Sequence, residues 1–310
     1  MEYSIRKKKR KIFRKEDIPL YLMVLPALLA LLIWCYIPMI GAVMAFQKYN
    51  IQLGIFKSPF VGFQNFKFLF SSSDAFIITR NTVLYNVAFI AVNICFSLFV
   101  ALLLNMLRQR KMAKTMQTVY MLPYFLSWAV INILVYAFLD RRSGFVNTLF
   151  QAVGLQPGNW YMNLRLWPPL LIFVNTWQAS GFQTVLFLAA IAGIPNEYYE
   201  AAMLDGASKI QQARYITLPH LRVVASISVI LSLGSIFRGN MGLFYLVTRN
   251  TGALYPVTNV IDTYIFNGLT QLHNIGMTSA AGLFQSVFGL IVVLIANKVV
   301  SKIDPESALF

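Results

Sequence analysis

Among the residue types that do acid–base, nucleophilic or metal chemistry, this sequence holds eleven carboxylates, two histidines and two cysteines. Cys35 and Cys95 stand in separate apolar stretches, and His220 and His273 have no neighbours at metal-ligand spacing. A phosphate-binding loop needs Gly-Lys followed by Ser or Thr, so that backbone amides and the lysine cradle the phosphates. No Gly-Lys pair occurs, so any nucleotide-driven work requires a second polypeptide. A membrane enzyme would need clustered nucleophiles, bases or ligands, and the sequence carries none.

Two other groups of residues could do specific work. The first is the stretch IPNEYYEAAMLDGASKIQQARYITLPH, residues 194–220. It reads as two short helices with a break. Pro195 and Asn196 give a start, with Asn196 as the expected N-cap. Tyr199, Ala202 and Met203 share one helical face. Gly206 supplies a left-handed or flexible position that ends the helix. Ser208 with Gln211 three residues on is a capping-box pattern for a second helix, and Pro219 is expected to stop it. A tidy connector would satisfy these signals. Yet Glu200, Ala201, Ala202, Asp205, Gly206 and Ala207 form a more particular pattern. Small alanines allow close approach by another protein, and Glu200 and Asp205 offer anionic partners for its basic groups.

The second group is a set of polar residues inside apolar stretches: Asn93, Asn132, Asn175, Gln178, Gln183, Ser232, Ser235, Arg238 and Asn240. Amides can meet sugar hydroxyls, and aromatic rings can cover apolar sugar faces. Each amide can equally be an interhelical hydrogen bond that holds a bundle together. Arg238 lies sixteen residues beyond Arg222. On a straight helix that is about 24 Å, which puts it in the outer half of a membrane. Two roles fit it: facing a translocation path toward an acidic or highly hydroxylated oligosaccharide, or snorkelling to the interface.

These residues must be positioned by membrane helices. The chain is 58% hydrophobic and 12% charged, whereas a wetted soluble surface brings the usual charged share to about 25%. Six stretches are long enough to cross a hydrocarbon core, which takes about 20 helical residues. They run from 20–46, 77–107, 116–139, 166–194, 222–247 and 276–301, the third and fifth weakened by proline, glycine or polar residues. No carboxylate falls inside any of them, which argues against an ion-coupled secondary carrier or channel. The first stretch is too long for a signal-peptide core and has no small-residue cleavage pattern, so it reads as a retained span.

Orientation follows from the 26 basic residues, eight of which lie between Arg6 and Lys15. An apolar stretch follows that run at once, which favours a membrane flank over nucleic-acid binding. With the N-terminus inside, seventeen basic residues fall on the inner side and nine on the outer. The expectation is an all-α, six-helix membrane protein with both termini cytoplasmic. Its parts are a basic segment 1–19, a helical region 20–302 containing the inner loop 195–220, and a tail 303–310. Trp34, Trp160 and Trp167 suit either an interfacial belt or ordinary packing.

The inner loop, through Leu218-Pro219, resembles the EAA motif of binding-protein-dependent ABC importer permeases. The Asp205-Gly206 pair is similar to the carbohydrate branch of that family. Segments 20–70, 260–269 and 282–302 resemble the first span, last loop and last span of polysaccharide-type permeases. The sequence has Ala213 and Val223 where the family often has an aromatic and a proline. The resemblance implies a type I importer permease core in a bacterial cell membrane. It implies a related second permease and two ATP-binding subunits, which would hold ATP and magnesium while this chain holds no cofactor. It further implies an extracellular sugar-binding lipoprotein and an oligosaccharide substrate. In that family the short helix of the EAA loop is a coupling helix, seated in a cleft of the ATPase.

Overall fold

The computed structural model describes residues 18–67, 72–107 and 109–303. The basic N-terminal residues 1–17 and the tail residues 304–310, on which the expected cytoplasmic termini fall, lie outside the described residues. Among the described residues the chain is helical throughout, with one isolated bridge between Gln47 and Phe60.

Helix α1, Ile18–Leu31, continues through a wide turn at Leu32–Tyr36 and a tight one at Ile37–Phe46. Ile18–Phe46 is thus one 29-residue span that is apolar on all sides. Its side chains are exposed from Ile18 to Ile40, as expected of a helix solvated by lipid. Helix α2, Ser73–Met106, is capped by Ser72, whose Oγ accepts the Ala75 N–H at 3.2 Å. Helix α3, Arg110–Met121, ends in a tight turn at Leu122–Phe125 that contains Pro123. Helix α4, Trp128–Leu139, restarts with Ser127 as its cap. The two arms are bent by 95°, so the third predicted span is broken rather than straight.

Helix α5, Phe145–Ala152, places buried Asn147 at the centre of the following loop. The Asn147 Nδ2 amide donates to the carbonyls of Asp140, Arg141 and Gly158. Its Oδ1 accepts from the Gly158 N–H and from Trp160 Nε1. Helix α6, Trp167–Ala192, is the partner on which α2 packs most extensively. Trp167 is fully buried, with its Nε1 donating to the Trp160 carbonyl at 3.0 Å, so of its two expected roles the core takes it.

After α6 the chain turns by 72° into α7, Asn196–Leu204. Helix α8, Lys209–Gln212, follows and leads through a wide turn at Ala213–Thr217 into α9, Leu218–Leu233. The fifth span is therefore Lys209–Leu233, displaced toward the N-terminus from the predicted 222–247. Residues 234–240 are unwound, and a wide turn follows at Gly242–Val247. Helix α10, Ile261–Thr270, is short and half-buried. Helix α11, Ile275–Ile303, is the last span. Among the described residues, four helical segments are long and apolar enough to cross a membrane, and six if each bent pair counts as one.

The main core joins Tyr85 and Phe89 of α2, Ile131 of α4, Leu171 of α6 and Leu243 and Phe244 beyond the break. Lipid is as apolar as leucine, so such a core is selected by close fit and by hydrogen bonding, not by exclusion of water. Ser97 Oγ donates to the Ser180 carbonyl, and Thr184 Oγ1 donates to the Ser97 carbonyl, locking α2 to α6. A Cβ at Gly181 would stand 2.9 Å from both Met121 Cα and the Tyr120 carbonyl. Only glycine lets α3 approach α6 that closely.

Candidate functional site

The α2–α6 pair carries polar residues near the midpoint of each helix: Asn86 and Asn93 on α2, Asn175 and Gln183 on α6. A cavity of about 500 Å³ opens there. Its far wall is Ser232 at the end of α9, with Ser235, Arg238, Gly239 and Asn240 from the unwound segment. Tyr124 and Phe182 close another side as a stacked pair, with centroids 5.0 Å apart and planes 16° apart. Backbone that leaves its helix inside a membrane is tolerated where it lines a cavity or is held by neighbours. Discontinuous spans at the midplane are a recurrent way of building transport sites.

Side chains distant in sequence hold the unwound segment. Asn86 Nδ2 donates to the Arg238 carbonyl at 3.0 Å. Asn240 Oδ1 accepts the Leu243 N–H at 3.1 Å and restarts the helix. Asp262 on α10 accepts the Gly239 N–H, and Gln285 on α11 donates to both the Phe237 carbonyl and Asp262 Oδ2. Gly239 must be glycine, because a Cβ there would stand 2.7 Å from Val260 Cγ2.

Of the expected path residues, the structure gathers Asn93, Asn175, Gln183, Ser232, Ser235, Arg238 and Asn240 around one cavity. Asn132 and Gln178 are not among its lining residues. Asn132 lies on the α4 arm beyond the 95° bend. Gln178 turns toward the Tyr124 carbonyl at 3.4 Å. Arg238 reaches the cavity by a different route from the one its spacing suggested. The helix ends at Leu233, so the straight-helix rise does not apply, and the unwound chain brings Arg238 to the depth of Asn86. The sequence reading missed Asn86, Tyr124, Phe182, Asp262 and Gln285. Asn86 had a signal, since it precedes Asn93 by two helical turns on the same face.

The second region is the knob formed by α7 and α8. Gly206 has φ +77°, the left-handed value its place at the break required. Ser208 and Gln211 form the expected capping box. Two expectations are corrected. Pro195, not Asn196, occupies the N-cap, and no side chain caps α7. Pro219 does not stop the helix. The Leu218 N–H donates to the Ala213 carbonyl in a widened turn, which accommodates the proline ring, and α9 runs on.

The knob is firmly attached. Tyr199 Oη and Thr217 Oγ1 are 3.0 Å apart, Gln212 Nε2 donates to the Ala207 carbonyl at 3.0 Å, and Tyr198 packs on His220. Its outer surface is apolar and uncovered: Leu204 is 91% exposed and Ile210 71%. Glu200, Ala201, Asp205 and Gly206 are also exposed, whereas Ala202 and Ala207 are half-buried. Leu218 and Pro219 stand at the exposed start of α9.

A bundle of membrane helices with a polar cavity at a broken span and a rigid helical knob at one end defines a transport protein of the permease class. The chain belongs to the family of binding-protein-dependent transport system inner membrane components, whose model matches residues 93–305. It is 34% identical to protein LplB of Bacillus subtilis (strain 168), over 94% of this chain and 91% of that protein. It is 33% identical to the polygalacturonan/rhamnogalacturonan transport system permease protein YteP of the same organism, over 93% and 89%. Among solved structures it is similar to a chain of a bacterial ABC transporter involved in import of the acidic polysaccharide alginate. There the identity is 31% and the TM-score 0.85, over 94% of this chain and 97% of that one. A second structure of a bacterial alginate ABC transporter, in complex with a periplasmic protein bound to alginate pentasaccharide, matches with a TM-score of 0.84 at 31% identity, over 93% and 96%.

Proposed function

We propose that this chain is the membrane permease subunit of an ATP-driven importer of oligosaccharides. The cavity at the α9 break is its share of the translocation path, and the knob is its handle for a separate ATPase. The observation that carries this reading is the knob itself: a braced two-helix projection whose apolar residues Leu204 and Ile210 face outward at a helix-bundle end. Apolar side chains exposed on a rigid, polar-flanked turn are suited to a protein partner. Glu200 and Asp205 would anchor it to basic groups there. Membership of the family supports the assembly, and the names of its relatives support a glycan substrate.

On this reading ATP and magnesium belong to two ATP-binding subunits, and a related second permease completes the path. A sugar-loaded extracellular lipoprotein docks opposite the knob, both termini lie in the cytoplasm, and the assembly sits in a bacterial cell membrane. ATP-driven closure of the ATPase pair moves the knob, and α6 and α9, which flank it, carry the motion to the cavity between them. The test is affinity purification of this chain from its native membrane, with mass spectrometry of partners and bound glycan. An ATP-binding protein and a second permease are expected. Transport by this chain in vesicles free of ATP would instead indicate a secondary carrier or channel.

A further inference from the structure

We propose that the transported glycan is acidic, and that Arg238 is the group that recognises its carboxylate. This inference rests on the importer reading above and names the substrate class of the same cavity. Among the described residues lining that cavity, Arg238 alone carries a formal charge. The others are amides, hydroxyls, aromatics and aliphatics, which can serve a neutral sugar without help from a cation.

The arginine is placed, not left over. Its backbone is fixed on both sides: Asn86 donates to its carbonyl, and its own N–H donates to the Ser235 carbonyl at 2.8 Å. Its side chain is exposed, and no described residue accepts a hydrogen bond from the guanidinium or forms an ion pair with it. Asp262, bonded to the adjacent Gly239, is near enough to attract it but forms no ion pair with it. That carboxylate accepts the Gly239 N–H and the Gln285 amide instead, on the wall side of the segment.

A charge within the membrane that has no ion pair is costly unless it meets water, a partner or a ligand. The guanidinium presents a planar fork of donors that matches a carboxylate bidentately and with opposite charge, and the hydroxyls of a neutral sugar lack that charge. The neighbouring Tyr124–Phe182 stack offers a flat apolar surface for the ring of the same sugar. A uronate-bearing oligosaccharide satisfies both features at once.

The test uses the complete transporter in proteoliposomes, with its own binding protein at saturation. The probes are oligogalacturonides and oligomannuronates, each beside its carboxyl-reduced neutral counterpart. Wild type is expected to take up an acidic glycan in an ATP-dependent manner. Arg238→Gln should slow that uptake about tenfold or more, the loss expected for a charged hydrogen-bonded pair. Any neutral glycan that is carried should change little. Arg238→Lys, which keeps the charge but not the fork, should fall between. Co-purification of the partner subunits with each variant controls for folding. Equal slowing of acidic and neutral glycans, or unchanged acidic uptake in Arg238→Gln, overturns the inference and leaves the importer reading standing. If no glycan of either kind is taken up, the importer reading fails, and the inference with it.

Discussion

The Gln285 amide on α11 donates to the Asp262 carboxylate on α10 at 2.9 Å, and that carboxylate accepts the N–H of Gly239 in the unwound segment. Three elements distant in sequence thus meet at one oxygen. Asp262→Ala leaves the Gly239 N–H and one Gln285 bond without an acceptor, a cost of about 1–3 kcal/mol. A lower unfolding midpoint of the purified protein is expected, with loss of transport. Asp262→Asn keeps an acceptor oxygen and should lose less of both.

Gly206 gives a cleaner separation of backbone from contact. A Cβ there meets nothing within 4 Å in this chain, so a defect in the fold of the knob in a variant comes from its φ of +77°. Gly206→Val should strain the knob by about 1–2 kcal/mol or more and uncouple ATP hydrolysis from uptake. Gly206→Asn, which tolerates the left-handed region, should keep most coupling. The ratio of ATP hydrolysed to glycan imported measures the difference. Glu200→Lys is expected to lose the ATPase subunit on purification while the protein remains inserted.

Gly181 tests the bundle. Gly181→Val forces a side chain into the backbone of Tyr120 and Met121, from which a Cβ would already be 2.9 Å away. Overpacking of this kind costs about 1–3 kcal/mol. The stacked pair of Tyr124 and Phe182 should be displaced with it, so both thermal stability and transport should fall.

The amides should divide by position rather than by type. Gln183→Ala and Asn93→Ala change the cavity wall and should alter the apparent affinity for glycan in uptake assays. Gln178→Ala and Asn132→Ala lie off that wall and should leave it within about twofold. The reverse ranking would mean that the path runs elsewhere.

All six spans are readable from composition, because a long apolar stretch announces itself without a distant partner. The break in the third and the shifted end of the fifth are not. Pro123, followed by Ser127 as a new cap, bends the third. Gly234, Gly239 and Asn240 punctuate the fifth, but a helix can unwind in a membrane only if other side chains take up its backbone groups. Those side chains are Asn86 and Gln285, 152 and 48 residues away along the chain from their acceptors. No local pattern encodes that. The knob was legible because its signals are local: a left-handed glycine and a capping box four residues long. Polarity inside a span shows need of a partner and not its direction, so sequence alone does not separate Asn132 and Gln178 from the amides that line the cavity.

The most direct test of the coupling role is a photo-crosslinking residue at position 204, where Leu204 is 91% exposed, in the assembled transporter in its membrane. A crosslink to an ATP-binding subunit, lost or shifted when a non-hydrolysable ATP analogue closes the ATPase pair, is the predicted result. Adducts with lipid or with the permeases alone, in every nucleotide state, would contradict it.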